Sequence, residues 1–212
     1  MKTKKGKKKM KTTMKTMLLA LIAMSAAQAM AQETPWLVRA RAVHVDPDNK
    51  STPIGGVGAA DRLEVSSKTI PELDISYFFT PHIAAELVLT YPQKHKARLD
   101  GAEIGTFKHL PPTLSLQYHF APGAAISPYL GAGVNYTRMS SIKLLDGAGD
   151  LENDSWGLAL QAGVNLRLNE RWSINADVKK LNLRSDVYVG GAKASHLKVD
   201  PVLVGLGVGY RF

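Results

Sequence analysis

The sequence predicts an all-β protein, an eight-stranded antiparallel up-and-down barrel that crosses a membrane. Three observations predict it. The chain begins with a segment built for export, apolar and polar residues alternate with a period of two through most of the remaining residues, and no further apolar stretch reaches the length of a membrane-spanning helix.

The export segment has its three parts in order. A lysine-rich start precedes the apolar core Met17-Leu18-Leu19-Ala20-Leu21-Ile22-Ala23-Met24, and small residues come next, up to Ala29-Met30-Ala31. The core is too short to span a bilayer, which takes about 20 apolar residues. Cleavage after Ala31 would leave residues 32–212 as a single barrel domain, and cleavage after Ala29 fits nearly as well. The net charge of +9 belongs to this segment, because eight lysines lie before residue 16 and no acid precedes Glu33. Without those lysines, 19 basic residues face 18 acidic ones, so a general nucleic-acid partner has no support. With no cysteine, an exported domain must gain stability from something other than disulfides, and closing a barrel in a bilayer is one such source.

The last strand shows the alternation best. Val202, Val204, Leu206, Val208, Tyr210 and Phe212 share one face, and Leu203, Gly205, Gly207, Gly209 and Arg211 the other. The same pattern runs through Leu73–Phe79, Ala85–Tyr91, Leu114–Phe120, Leu130–Tyr136, Trp156–Leu168 and Trp172–Val178. Near Trp36–Val45 hydrophobicity does not choose a face, but charge does. An arginine turned to lipid at the midplane costs about 2–4 kcal/mol, so Arg39 and Arg41 point inward and Val38, Ala40 and Ala42 outward. That makes eight strands.

Periodicity alone does not say which face is inside. A soluble barrel turns its large apolar residues inward. Here the other face is glycine, serine, asparagine, glutamine and mixed charge, which suits a narrow lumen. The aromatic residues lie near strand ends, where a membrane barrel carries its interfacial girdles. Thr80-Pro81-His82, Asn169-Glu170-Arg171 and Ala121–Ser127 read as short periplasmic turns. The longer connections Asp46–Lys68, Pro92–Pro112, Ser140–Asp154 and Arg184–His196 read as outer loops, with both termini periplasmic in a bacterial outer membrane.

These residues resemble the outer-membrane protein W family. The resemblance is carried by Lys108-His109-Leu110-Pro111-Pro112-Thr113, by Pro128-Tyr129-Leu130-Gly131-Ala132-Gly133-Val134-Asn135-Tyr136-Thr137 and by Asp154-Ser155-Trp156-Gly157. Val199-Asp200-Pro201 and the terminal Gly209-Tyr210-Arg211-Phe212 add to it. It implies a monomeric eight-stranded barrel of Gram-negative bacteria, associated with uptake of small hydrophobic compounds and with stress adaptation. It also implies a lumen partly apolar and closed toward the periplasm, with release sideways through the wall.

The inward face holds the candidate site. Its charged members include Arg39, Arg41, Glu86 and Lys179 with Glu72, Asp74, Asp177, Arg167 and Arg211. They make either a selectivity lining or a lattice of ion pairs plugging a barrel too narrow for water flow. The large apolar inward residues are Phe78 and Val88, with Leu181 and Leu183 expected near the outer mouth as contacts for a hydrophobic ligand. After Val178 the apolar phase slips, since Lys180, Asn182 and Arg184 take the outward positions. A β-bulge, an exit from the membrane, or an apolar upper cavity lined by Leu181 and Leu183 would each explain it.

No cofactor, metal or enzymatic activity is expected. His95 and His109 share a connection without compact ligand spacing. Ser115 and His119 share a face but stand about 13 Å apart along a strand, too far for a nucleophile and its base. Two function classes remain: a conduit or binding barrel for small hydrophobic molecules, and a structural surface protein whose loops meet lipopolysaccharide, host factors, phage or colicin. Expected partners in either case are outer-membrane lipids and lipopolysaccharide, and the barrel-assembly machinery, which would read Phe212 as the chain end. Deleting Phe212 is expected to lower the folded fraction in the outer membrane without affecting export, as measured by heat-modifiable mobility in membrane fractions; normal folded levels would exclude the terminal-signal reading.

Overall fold

The computed structural model describes residues 34–212, and the expected export segment lies outside them. Eight strands form the barrel wall. They are β1 (Trp36–Asp46), β2 (Lys68–Phe78), β3 (Ile83–Leu89), β4 (Thr113–His119), β5 (Ile126–Leu144), β6 (Asp154–Arg167), β7 (Trp172–Leu181) and β8 (Val202–Arg211). Each pairs antiparallel with the next, and β8 returns to β1 with Val38 opposite Tyr210 and Ala42 opposite Leu206. The ends of the chain add to the closure, since Thr34 N–H donates to the Phe212 carbonyl at 3.0 Å and Phe212 N–H to the Trp36 carbonyl at 3.3 Å. A closed ladder leaves no backbone edge facing lipid.

The distribution of side chains is that of a membrane barrel. Leu116, Leu160 and Leu206 leave 57%, 63% and 63% of their surface uncovered, whereas Arg39, Asp74 and Glu86 leave none. Aromatic side chains gather toward both rims of the apolar belt. At the lower rim Trp36, Tyr77 and Phe79 form one edge-to-face chain and Trp172, Tyr210 and Phe212 another. At the upper rim Tyr136 packs on Trp156 at 4.8 Å, and Tyr91 is exposed.

One expectation from the sequence changes, and one open alternative is removed. The outer connections are largely β-structure rather than loops. Residues 92–112 contain a hairpin, Gln93–Leu99 paired with Ala102–Leu110, and Arg184–Val189 pairs with Ala192–Lys198 in another. Asp100-Gly101 and Gly190-Gly191 turn them, all four residues with positive φ, which is what a tight two-residue hairpin turn requires. With the top of β5, Gly149–Leu151, Lys50–Ser51 and Leu63–Val65, these strands carry the wall upward past the apolar belt. The phase slip after Val178 is not a bulge. β7 keeps an unbroken register with β6 and β8, and Lys179, Leu181 and Leu183 remain on the inner face. The chemistry of each side changes there instead: outward residues turn polar as the wall rises out of lipid, and inward residues turn apolar.

Small residues let the wall close where segments approach. A Cβ on Gly157 would overlap the carbonyl of Asn182, whose own N–H donates to Leu158 O at 2.9 Å. Gly157→Ala is expected to cost about 1–3 kcal/mol of overpacking, lowering the urea midpoint of the refolded barrel. Gly123→Ala, in a turn with open space around it, is expected to leave that midpoint unchanged.

Candidate functional site

The lumen divides into tiers along the barrel axis. At the periplasmic mouth Phe78 packs against His119 with ring centroids 4.9 Å apart, and the Arg211 guanidinium lies 4.3 Å from the Phe78 ring centre. Arg167 donates from Nη2 to Pro122 O at 2.7 Å and lines the same small depression. Alternation places these groups here: Phe78 ends β2 and Arg211 ends β8, both on inward positions.

Above them lies a charged lattice. Arg39 reaches Asp74 at 3.0 Å and Glu86 at 2.9 Å. Arg41 reaches Glu72 at 2.7 Å, Asp74 at 2.9 Å and Asp177 at 3.4 Å. Lys179 Nζ meets Glu72 at 3.1 Å. Neutral groups complete the network, with Gln161 Nε2 donating to Glu86 and Asp177 and the Tyr129 hydroxyl donating to Asp177 at 3.0 Å. The lattice is anchored by register, because Arg39 stands directly opposite Asp74 and Arg41 opposite Glu72 on neighbouring strands. Buried charge is tolerated only when paired in this way, and removing one partner of such a network costs about 3–5 kcal/mol. The arrangement sets three cations and four carboxylates, all buried, at one level of the lumen.

The third tier is apolar. Val43, Val45, Ile70, Leu181 and Leu203 form a buried cluster with Ala159, and four of them, Val45, Ile70, Leu181 and Leu203, line a small cavity together with Val88 and Leu183. The space left among them is about 20 Å³, room for roughly one water. Higher still, Phe107, Met139, Leu151, Val187, Leu197 and their neighbours make a second core inside the upward extension of the wall. Leu183 belongs to this core as well as to the cavity, so the two apolar tiers are continuous.

His109 lines the cavity from the outer hairpin, and His95 packs on it at 4.6 Å between ring centroids. His95 Nδ1–H donates to the Ser66 carbonyl at 2.9 Å. Burial holds both imidazoles below their ordinary range, that of His109 down to about 3, with the proximity of His95 and Lys68 acting in the same direction on His109. Both are therefore neutral at pH 7. Among the described residues no group of three or more histidine, cysteine or acidic side chains is placed to hold a metal.

The structure thus brings Arg39, Arg41, Glu86 and Lys179 into one lattice and sets Val88, Leu181 and Leu183 together above it. It separates Phe78 from them. That residue lies at the opposite end of the lumen, below the lattice, because β2 runs downward and Phe78 is its last residue. Sequence reasoning missed Val45, Ile70 and Leu203 as cavity residues, although each follows from extending the inward phase of its strand toward the outer side.

Beside the cavity the backbone ladder is interrupted. Pairing between β3 and β4 ends at Val88 opposite Thr113 and resumes above at Gln93 opposite His109. Pro111 and Pro112 come directly before Thr113, and prolines have no N–H to offer the neighbouring strand. On the β5 side their carbonyls are held, by Asn135 Nδ2 at 3.3 and 3.2 Å and by Tyr136 N–H at 3.1 Å.

Comparison with known proteins gives a consistent answer. Residues 32–212 match the model of the OmpW family. An uncharacterized outer-membrane protein of Sinorhizobium fredii is 44% identical over 84% of this chain and 80% of its own length. Outer membrane protein W of Vibrio cholerae is 34% identical over 92% of this chain and 97% of its own. A dibenzothiophene metabolism operon protein of Pseudomonas aeruginosa is 26% identical over 88% and 93%. Among solved structures, the outer membrane protein OprG of Pseudomonas aeruginosa superposes with a TM-score of 0.74 at 29% identity, covering 85% of this chain and 97% of that one. With its closed eight-stranded wall, its lipid-facing belt and a match from residue 32 to residue 212, the chain belongs to the OmpW family of outer-membrane barrels.

Proposed function

We propose that the barrel admits small hydrophobic molecules from the outer side into its apolar tiers and releases them sideways into the membrane. The observation that carries this reading is the position of the apolar cavity of Val45, Ile70, Val88, Leu181, Leu183 and Leu203 directly on top of an ion-paired lattice. Apolar surface in a channel interior serves no water-filled pore, but an apolar ligand gains about 25 cal/mol per Å² buried against it. The lattice stops such a ligand from continuing along the axis. The interrupted ladder at Thr113 and Pro111-Pro112 gives it a side exit at the level of the cavity. Admission requires the outer core to part, because the cavity as it stands holds no more than a water. The relative named for a dibenzothiophene metabolism operon is consistent with apolar cargo.

The filled outer core also supports a second reading, a permanently closed barrel that acts through its surface. Uptake separates the two. Cells carrying Val88→Thr with Leu181→Gln, which change polarity at nearly constant volume, are expected to take up a small apolar substrate no faster than cells lacking the barrel. The heat-resistant folded band of the variant is expected to persist on a gel. Unchanged uptake by that folded variant would leave the closed surface protein as the better account.

A further inference from the structure

The outward face of the first upper hairpin carries a charge arrangement that the lumen does not use. Lys94 and Lys108 stand directly opposite each other across its two strands, both exposed. Like charges in directly opposed positions repel and destabilise a sheet. Lys96 and Arg98 continue the same face of the first strand, while Arg138 on β5 lies opposite Leu110. Acids on this face lie toward its upper end, where Glu64 stands opposite Arg98. Glu103 pairs with Lys96 at 2.8 Å, and Asp154, across from Arg138, accepts the Tyr136 hydroxyl. Lys94 and Lys108 have no acidic side chain within ion-pair distance among the described residues.

The height of this pair is fixed by the chain. Tyr91 is three residues before Lys94, and His109, Leu110 and the two prolines separate Lys108 from the membrane strand β4. At about 3.3 Å per residue the backbone of Lys94 lies about 10 Å along the strand from the exposed Tyr91. Tyr136 and Trp156, the latter 73% exposed, mark the same rim beside them. Aromatic rims lie at the level of lipid headgroups, so charges just above them face the phosphates of the outer leaflet. Like charges also oppose one another elsewhere on the upper wall, where Lys50 faces Lys198 and Lys198 faces Arg184, while Asp186 there pairs with Lys193 and His196. Arg184 N–H donates to the Ser155 hydroxyl at 3.4 Å, so that row continues round the wall from Trp156. What marks Lys94 and Lys108 is an opposed pair three residues along the strand from the exposed Tyr91.

We infer that Lys94 and Lys108, flanked by Arg138, bind the phosphate of an outer-leaflet phosphoglycolipid whose acyl chains pack against the belt at Tyr136, Trp156 and Leu158. A phosphate between the two ammonium groups turns their repulsion into a pair of charge-assisted hydrogen bonds, which are shorter and stronger than neutral ones. The acyl chains hold the headgroup at the height where the lysines wait, so the lipid outcompetes free phosphate in solution.

The test uses the barrel refolded in phosphatidylcholine nanodiscs, with native mass spectrometry and the fluorescence of Trp156 in a Trp36→Phe, Trp172→Phe background as readouts. A bisphosphorylated, acylated glucosamine disaccharide is expected to bind about tenfold or more tightly than its dephosphorylated counterpart, with the advantage shrinking as salt is raised. Lys94→Gln with Lys108→Gln is expected to erase that advantage, and Lys50→Gln with Lys198→Gln, an opposed lysine pair farther round the wall, to preserve it. Equal binding of the two lipids, full retention by the Lys94/Lys108 variant, or equal loss in the Lys50/Lys198 variant would each overturn the assignment. Competition by inorganic phosphate at concentrations as low as the glycolipid's would also overturn it, by reducing the site to a general anion patch.

Discussion

A bilayer offers no partner for a bare N–H or C=O, and everything else in this barrel depends on meeting that demand with only eight strands. Closure of β8 onto β1 satisfies the backbone. An eight-stranded circle leaves an interior little wider than its own side chains, so inward positions must be small, or mutually paired, or apolar and packed. The chain uses all three solutions at different heights: glycine where segments nearly touch, as at Gly157, ion pairs through the middle, and aliphatic residues toward the outside.

Separating the middle from the top gives the lumen its character. Arg39, Arg41 and Lys179 with Glu72, Asp74, Glu86 and Asp177 are engaged with one another. Under the proposed function the lattice is a floor, and an apolar molecule reaching it meets, at the level of the cavity above, a stretch of wall where prolines interrupt the ladder. The top tier is built from the same alternation as the rest of the strands, so apolar lining there needs no separate element, only different residues on the inner phase.

Most of the wall is legible in the sequence because a period of two has one physical meaning here. Arginine is too costly on the lipid face, and that orients β1 from Arg39 and Arg41 alone. The levels along the axis are harder to read. Phe78 and Val88 share the inward phase of adjacent strands, but strand direction carries one to the bottom of the lumen and the other to the upper tier. The slip after Val178 is visible as a change of pattern, yet only the continuous register of β7 shows that the face never turns. The upper hairpins read as loops because above the membrane their outward faces are polar and their inward faces short. The Asp100-Gly101 and Gly190-Gly191 pairs are the signals that mark them as hairpins.

The lattice also records an order of assembly. Arg39 with Asp74 and Arg41 with Glu72 join neighbouring strands, so the first hairpin can neutralise these charges as soon as it forms. Lys179 is another matter, since it reaches Glu72 across 107 residues of chain and arrives only with the seventh strand. Long-range contacts of this kind form late, after the entropy of a large loop has been overcome. Until then Glu72 lacks one of its two cations, and a barrel halted before its seventh strand holds an undercompensated carboxylate in a hydrocarbon surround. That makes the half-formed barrel a poor resting state, and it ties the completion of the ion network to the seventh strand, one step before the eighth closes the cylinder.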